Sequence, residues 1–176
     1  MSWIQTYLGE KFYPLEPRPG RVDIRDVAHA LSLACRFNGH CQVFYSVAEH
    51  CVRVSHAVPG RHALWGLLHD AAEAYVSDVP RPVKRCIEAF GPMEDRLLAV
   101  ILAEFGLALP MPSEVREGDE VLLATEFRDL MAEAPEPWPL AAEPLSLPIT
   151  PMTWQQAERA FLERFEELTD RSAGPS

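Results

Sequence analysis

The stretch LLHDAAEAYVSDVP, residues 67–80, sets an imidazole and a carboxylate side by side, His69 and Asp70, inside the most apolar part of the chain. With the preceding RHALWG (61–66), it spaces Leu64, Leu67, Leu68, Ala71 and Tyr75 for one buried face, which predicts a helix over 61–76. Adjacent residues on such a helix project about 100° apart, an angle at which both can reach one cation lying in the groove between helices. Asp78-Val79-Pro80 ends the helix, and Pro82 suits the first turn of a short one running through Ile87.

The pattern continues on both sides. Val27, Ala30, Leu31 and Ala34 form a first helical stripe that stops near Asn38-Gly39. In YSVAEHCVRVSHAV, Ser46 reads as an N-cap with Glu49 three residues later as in a capping box, and Val47, Cys51, Val54 and Val58 form the apolar stripe. Further helices are predicted over 92–106, 114–132 and 153–169. Residues 1–22 carry aromatics among Gly and Pro, which favours an extended arm over the core that could help wall a pocket. Six prolines between 135 and 151 predict an ordered, extended strap before the last helix. The expected fold is all-α: a helical bundle with an N-terminal arm and a Pro-rich strap, organised as a single domain over 1–176 with a core at about 25–132.

Charge and composition narrow the function. With 26 acidic against 16 basic residues, the net charge is -10, which argues against nucleic-acid polymers and anionic membrane surfaces and leaves room for a small, locally held anion. MSWIQTYLGEKFYPL lacks the basic start and apolar run of a signal peptide, and no segment approaches the roughly 18 apolar residues of a membrane span, so a cytoplasmic protein is expected. The four cysteines form no CxxC pair and read as reduced packing residues.

A lone buried His is more often structural than a ligand, but His50, His69, Asp70 and Asp119 together give two imidazoles and two carboxylates from three helical segments. That donor set suits one divalent ion of the Mn, Fe, Co, Ni or Zn kind, with Mg also compatible. Asp95 and Asp129 compete with Asp119 for the last place, and the EGDEVLLATE context favours Asp119. Glu73, one turn beyond His69 and Asp70, is placed either as general acid/base or as a carboxylate that orients a ligand imidazole. Asp78 either bonds a substrate hydroxyl or caps the helix starting near Pro80.

The order H…HD…D, with EH inside SVAEHC and then LHDAAEAYVSDVPRPVK, resembles the HD-domain phosphohydrolases, nearest the small bacterial 5′-deoxynucleotidases and the phage deoxynucleoside triphosphate hydrolases. The resemblance covers about residues 25–132. It implies that His50, His69, Asp70 and Asp119 hold the metal and that Glu73 is the catalytic acid/base. Arg36, Lys84 and Arg116 match positions where triphosphate-hydrolysing relatives bind phosphate. Phe37 matches an aromatic beside sugar or base, and Gly39 a position where a bulky side chain narrows the base pocket, so a roomier edge that admits 2-amino purines is expected. His40 touches base or phosphate, or is structural.

The implied function is hydrolysis of phosphate or polyphosphate from a (deoxy)nucleotide, with a slight tilt toward triphosphohydrolase chemistry and a 5′-deoxynucleotidase acting on monophosphates as the alternative. The substrate is then a small-molecule nucleotide, and a homo-oligomer is expected by analogy with small HD enzymes. A non-catalytic HD scaffold or nucleotide sensor predicts a missing ligand or a missing Glu, and every position here is filled.

Overall fold

The computed structural model describes residues 2–170. It is predominantly helical: Ile24–Leu33 (α1), Val47–Ala57 (α2), Ala63–Leu68 (α3), Glu73–Val76 (α4), Arg81–Cys86 (α5), Phe90–Glu104 (α6), Ser113–Leu130 (α7) and Trp154–Asp170 (α8). No helix among the described residues is long and apolar enough to cross a membrane.

Helix α2 is the axis of the bundle. From Val47 to Val52 every residue is buried, the polar Glu49 and His50 included, because α1, α3, α7 and α8 all pack around it. Leu31, Leu67, Leu68 and Phe161 fill the space between these helices, each such side chain contributing roughly 1.5–3 kcal/mol of burial. Ser46 caps α2 through its hydroxyl, which accepts from the Glu49 N–H at 3.1 Å. The predicted capping box is only half made. The Glu49 carboxylate turns inward, accepting from Arg53 at 2.7 and 2.9 Å and from the Met152 N–H at 2.8 Å, because a buried acid gains more from an ion pair than from a helix-end amide.

Two glycines set how closely the neighbours approach α2. A Cβ on Gly66 of α3 would lie 3.2 Å from the Ser55 Cα, and one on Gly118 of α7 would lie 2.6 Å from Val58 Cγ1. The missing side chains let α3 and α7 close on the C-terminal end of α2. His69 and Asp119 follow those two glycines closely in sequence and are carried toward His50 by the same contacts.

Three sequence expectations need correction. The helix predicted over 61–76 is interrupted at His69–Ala72, where backbone bonds run to the third residue back: Ala71 to Leu68 and Glu73 to Asp70. This tighter winding turns the chain as it passes His69 and Asp70. The first helix ends at Leu33 rather than near Asn38-Gly39. Cys35 and Ser46 form an antiparallel bridge, so Arg36 rides on a separate 3-10 turn, Arg36–Gly39. Finally, the arm carries a short hairpin, Ile4–Gln5 (β1) with Lys11–Phe12 (β2), and packs on α1 and α4. There Phe12 stacks on Tyr75 and Tyr7 on His29, which holds the arm away from the main cavity.

The Pro-rich tract is the extended strap the sequence predicts. Its second half is tied to α7 by the Arg128 guanidinium, which donates to the Leu145 and Leu147 carbonyls, and by Asp129, which accepts from the Ile149 N–H. Ile149 is buried against Tyr45 and Leu130.

Candidate metal centre

Four ligating atoms converge beside α2. His50 Nε2 stands 3.2 Å from His69 Nε2, 3.2 Å from Asp119 Oδ1 and 3.7 Å from Asp70 Oδ2. His69 Nε2 lies 3.2 Å from Asp70 Oδ2 and 4.0 Å from Asp119 Oδ1. Donors bound about 2.1 Å from one ion sit roughly 3.0–3.4 Å apart, so these separations fit a single divalent cation with little adjustment. Of the competitors for Asp119, Asp95 is exposed on α6, and Asp129 pairs with Arg128 while anchoring the strap.

The other ring nitrogens fix the direction of the lone pairs. His69 Nδ1 is 2.8 Å from the Gly66 carbonyl, which only accepts, so that nitrogen carries the proton. His50 Nδ1 donates to the Glu126 carboxylate at 2.5 Å. In the neutral imidazoles both Nε2 lone pairs therefore face each other across 3.2 Å, with two carboxylate oxygens beside them. Such an arrangement is repulsive until a cation enters.

Without a cation, the carboxylates draw protons to the imidazoles instead. Burial lowers the His69 pKa, but the Asp70 charge beside it more than offsets this and lifts it well above the ordinary imidazole value. For Asp119, burial works upward and is outweighed by the hydrogen bond and charge of His50, which bring it down to about 2. Asp70 is likewise held below the usual carboxylate range, against burial, by His69. The carboxylates stay ionised and draw positive charge to the centre.

Glu126 was not singled out by the sequence reading, yet it is fully buried on α7 and joins two functional groups. It accepts from His50 Nδ1 and from Arg36, whose Nε and guanidinium lie 3.1 and 3.0 Å from Oε2. Burial pushes its pKa up, and the Arg36 and His50 charges hold it below the ordinary value. The one sequence signal was its place in LLATEF, seven residues and about two turns after Asp119, hence on the same face of α7. Cys51 also lies beside His69 and Asp70, close enough for the three to form a possible ligand group. Burial raises its thiol to about 11, which keeps it protonated and in the packing role expected of it.

The centre opens into a cavity of about 420 Å³. Arg36, Phe37, Glu73, Asp78 and Lys84, all expected at the site, line it with the candidate ligands Asp70 and Asp119. Lys84 Nζ is 3.3 Å from Glu73 and 2.7 Å from Glu94. Glu73 Oε2 is buried without a hydrogen-bond partner. Burial, then the Asp70 and Asp78 charges, raise the Glu73 pKa well above its ordinary value. Asp78 does not cap α5, which has no side-chain cap. Ser77, at φ +69°, turns the chain so that Asp78 faces the cavity instead.

Three residues expected to bind substrate are not in the lining. Arg116 is exposed on α7, one turn outside the Asp119 face, and Arg81 of α5 stands in the wall in its stead, 3.4 Å from Asp119 and 3.1 Å from Glu120. Gly39 and His40 are exposed beyond the turn. The Gly39 φ of +77° follows Phe37 and Asn38 at +55° and +52°, so this glycine serves a left-handed turn rather than the edge of a base pocket.

No known family model matches the chain. It is 39% identical over 175 residues to the uncharacterized protein YfdR of Escherichia coli (strain K12), a match that spans 97% of each chain. It is 34% identical over 125 residues to an uncharacterized protein of Rhodobacter capsulatus, covering 65% of this chain and 64% of that one.

Proposed function

The chain belongs to the same family as YfdR of Escherichia coli, and for this member we propose a metal-dependent HD-domain phosphohydrolase that removes phosphate or polyphosphate from nucleotides. The observation that carries the reading is the convergence of the His50 and His69 lone pairs with Asp70 and Asp119 at the floor of a cavity walled by Arg36, Arg81 and Lys84.

Those four residues would hold a divalent cation, which would supply Lewis acidity and lower the pKa of bound water. The protein does the rest. Arg36 is braced by Glu126 and presents a planar fork to phosphate oxygens, while Lys84 and Arg81 add charge along the wall. Glu73, whose pKa burial and the Asp70 and Asp78 charges raise, has an unpartnered carboxyl oxygen to offer the leaving oxygen, which suits a general acid. Asp78 is positioned to accept from a sugar hydroxyl.

With Glu73 carrying the proton a general acid needs, the lining holds four charged acids, Asp70, Asp78, Asp119 and Glu120, against four bases, Arg36, Arg81, Lys84 and Arg85. A divalent ion tips that balance positive and so strengthens binding of the anionic substrate. Four bases around one cavity favour a polyphosphate over a monophosphate.

A phosphate-release screen tests the proposal, using deoxy- and ribonucleoside mono-, di- and triphosphates with Mn, Co, Fe, Ni, Zn and Mg, and with chelator. Metal-dependent release from nucleoside triphosphates is expected. Release from monophosphates alone would identify a 5′-deoxynucleotidase, and nucleotide binding without release under any metal would identify a non-catalytic sensor.

A further inference from the structure

The strap contributes a part of the cavity wall that carries neither a candidate ligand nor a basic residue. Trp138, Pro139 and Leu140 line it together with Leu123 of α7. They lie in the first half of the strap, upstream of the anchors that fix residues 145–152 to α7 and α2. The indole of Trp138 rests against Phe127 of α7, with ring centroids 4.7 Å apart and planes inclined at 41°. It is nevertheless 49% exposed. A large aromatic side chain supported on one side by another ring and open on the other to a polar, cation-walled cavity is built to receive a flat partner.

Phe37 contributes a second aromatic surface from the 3-10 turn, 5.4 Å from the Arg36 guanidinium. The cavity thus has a metal floor, a basic wall and aromatic side chains on two separate segments. We infer that Trp138 is the platform on which the substrate's purine or pyrimidine ring stacks, so that the strap selects base-bearing phosphates over simple phosphate esters. This rests on the phosphohydrolase reading above. It assigns recognition of the base to a segment outside the helical core, where stacking accepts any base because every base presents a π face.

The test compares the wild type with Trp138→Ala, Trp138→Leu and Trp138→Phe. The leucine variant keeps an apolar contact with Phe127 but lacks an aromatic plane. KM for the best nucleotide should rise roughly five- to a hundredfold in the alanine and leucine variants, return near the wild-type value in the phenylalanine variant, and leave kcat little changed. Inhibition by deoxyribose 5-phosphate, which has the phosphate and no base, should keep the same Ki in all four proteins. Independently of turnover, titrating nucleotide into the metal-loaded Glu73→Gln protein should quench a fluorescence component that is absent when Trp138→Phe is added to it.

Unchanged KM in Trp138→Ala and Trp138→Leu, with metal-dependent turnover intact, would overturn the platform and leave the phosphohydrolase standing. Parallel weakening of nucleotide and deoxyribose 5-phosphate would also overturn it, since the loss would then not concern the base. If the wild type turns over no nucleotide under any metal, the catalytic reading fails, and the fluorescence titration decides the platform alone: quenching supports it and no quenching overturns it.

Discussion

The floor and the rim of the cavity are built by different means. At the floor, His50 and Asp119 project from long helices and His69 and Asp70 from the tight turn after α3, the imidazoles buried with each Nδ1 hydrogen-bonded and the carboxylates partly buried. At the rim, Arg36 and Phe37 sit on a turn with two consecutive left-handed residues, Arg81 and Lys84 on a six-residue helix, and Trp138 on an irregular strap. The floor is over-determined by packing, as a fixed coordination geometry requires. The rim has few constraints, as suits a surface that must admit and release a substrate. Floor variants should therefore lose metal or chemistry, and rim variants should lose binding.

The largest effect is expected for His69→Ala. It removes one donor and leaves Asp70 and His50 with unbalanced charge, so bound metal should fall to background and nucleotide hydrolysis with it. Metal analysis of the purified protein, beside the rate, checks both. Retained stoichiometric metal would mean that the floor is not the metal centre.

Glu73→Gln should separate metal binding from chemistry, because Glu73 is not a ligand in this arrangement. Metal content should stay unchanged and kcat should fall about 10²–10⁴-fold. The pH profile carries the sign. Burial and the neighbouring Asp70 and Asp78 charges raise the Glu73 pKa, so the acid form persists above the usual carboxyl range. As general acid it works while protonated, hence the wild-type rate should decline as pH rises through that raised pKa. The decline should be missing in Glu73→Gln. A wild-type rate that rises through the same range would identify Glu73 as a base instead.

The same contrast explains what could be read in the sequence. His50, His69 and Asp70 were legible because helical periodicity places them amid apolar stripes, and the stripe itself says that they are buried; Asp119 stands out only by its EGDEVLLATE context and the resemblance to HD-domain phosphohydrolases. α6, α7 and α8 were legible to within about two residues for the same reason. The break at His69–Ala72 was not, since an i to i−3 winding keeps the apolar spacing almost intact. Arg81 and Trp138 were invisible because nothing local distinguishes a rim arginine or a strap tryptophan from a solvated one. Arg116 was expected at the site from its spacing to Asp119, but three residues on a helix leave about 60° between side chains, enough to carry it out of the cavity.

Glu126→Gln tests how firmly floor and rim are joined, because Glu126 touches His50 of the first and Arg36 of the second. The amide keeps the shape and loses the charge that holds both His50 and Arg36. Metal affinity should drop about 10–100-fold. KM should rise as well, as Arg36 loses its brace. A rise in KM at saturating metal with unchanged metal affinity would show that Glu126 serves Arg36 alone.

The smallest change is expected for Arg81→Gln. Its guanidinium lies 3.4 Å from Asp119 and 3.1 Å from Glu120 but is largely exposed, so these pairs contribute little to stability, on the order of 0–1 kcal/mol. With the metal on Asp119, attraction from that carboxylate is shared, and Arg81 is freer to meet the substrate. Losing one screened charge should raise KM for a triphosphate a few-fold, with kcat and metal content unchanged, and the difference should shrink as salt is added. A monophosphate that reaches only the floor should hardly notice the change. An equal KM rise for mono- and triphosphates would place Arg81 against the reacting phosphate and move it from rim to floor.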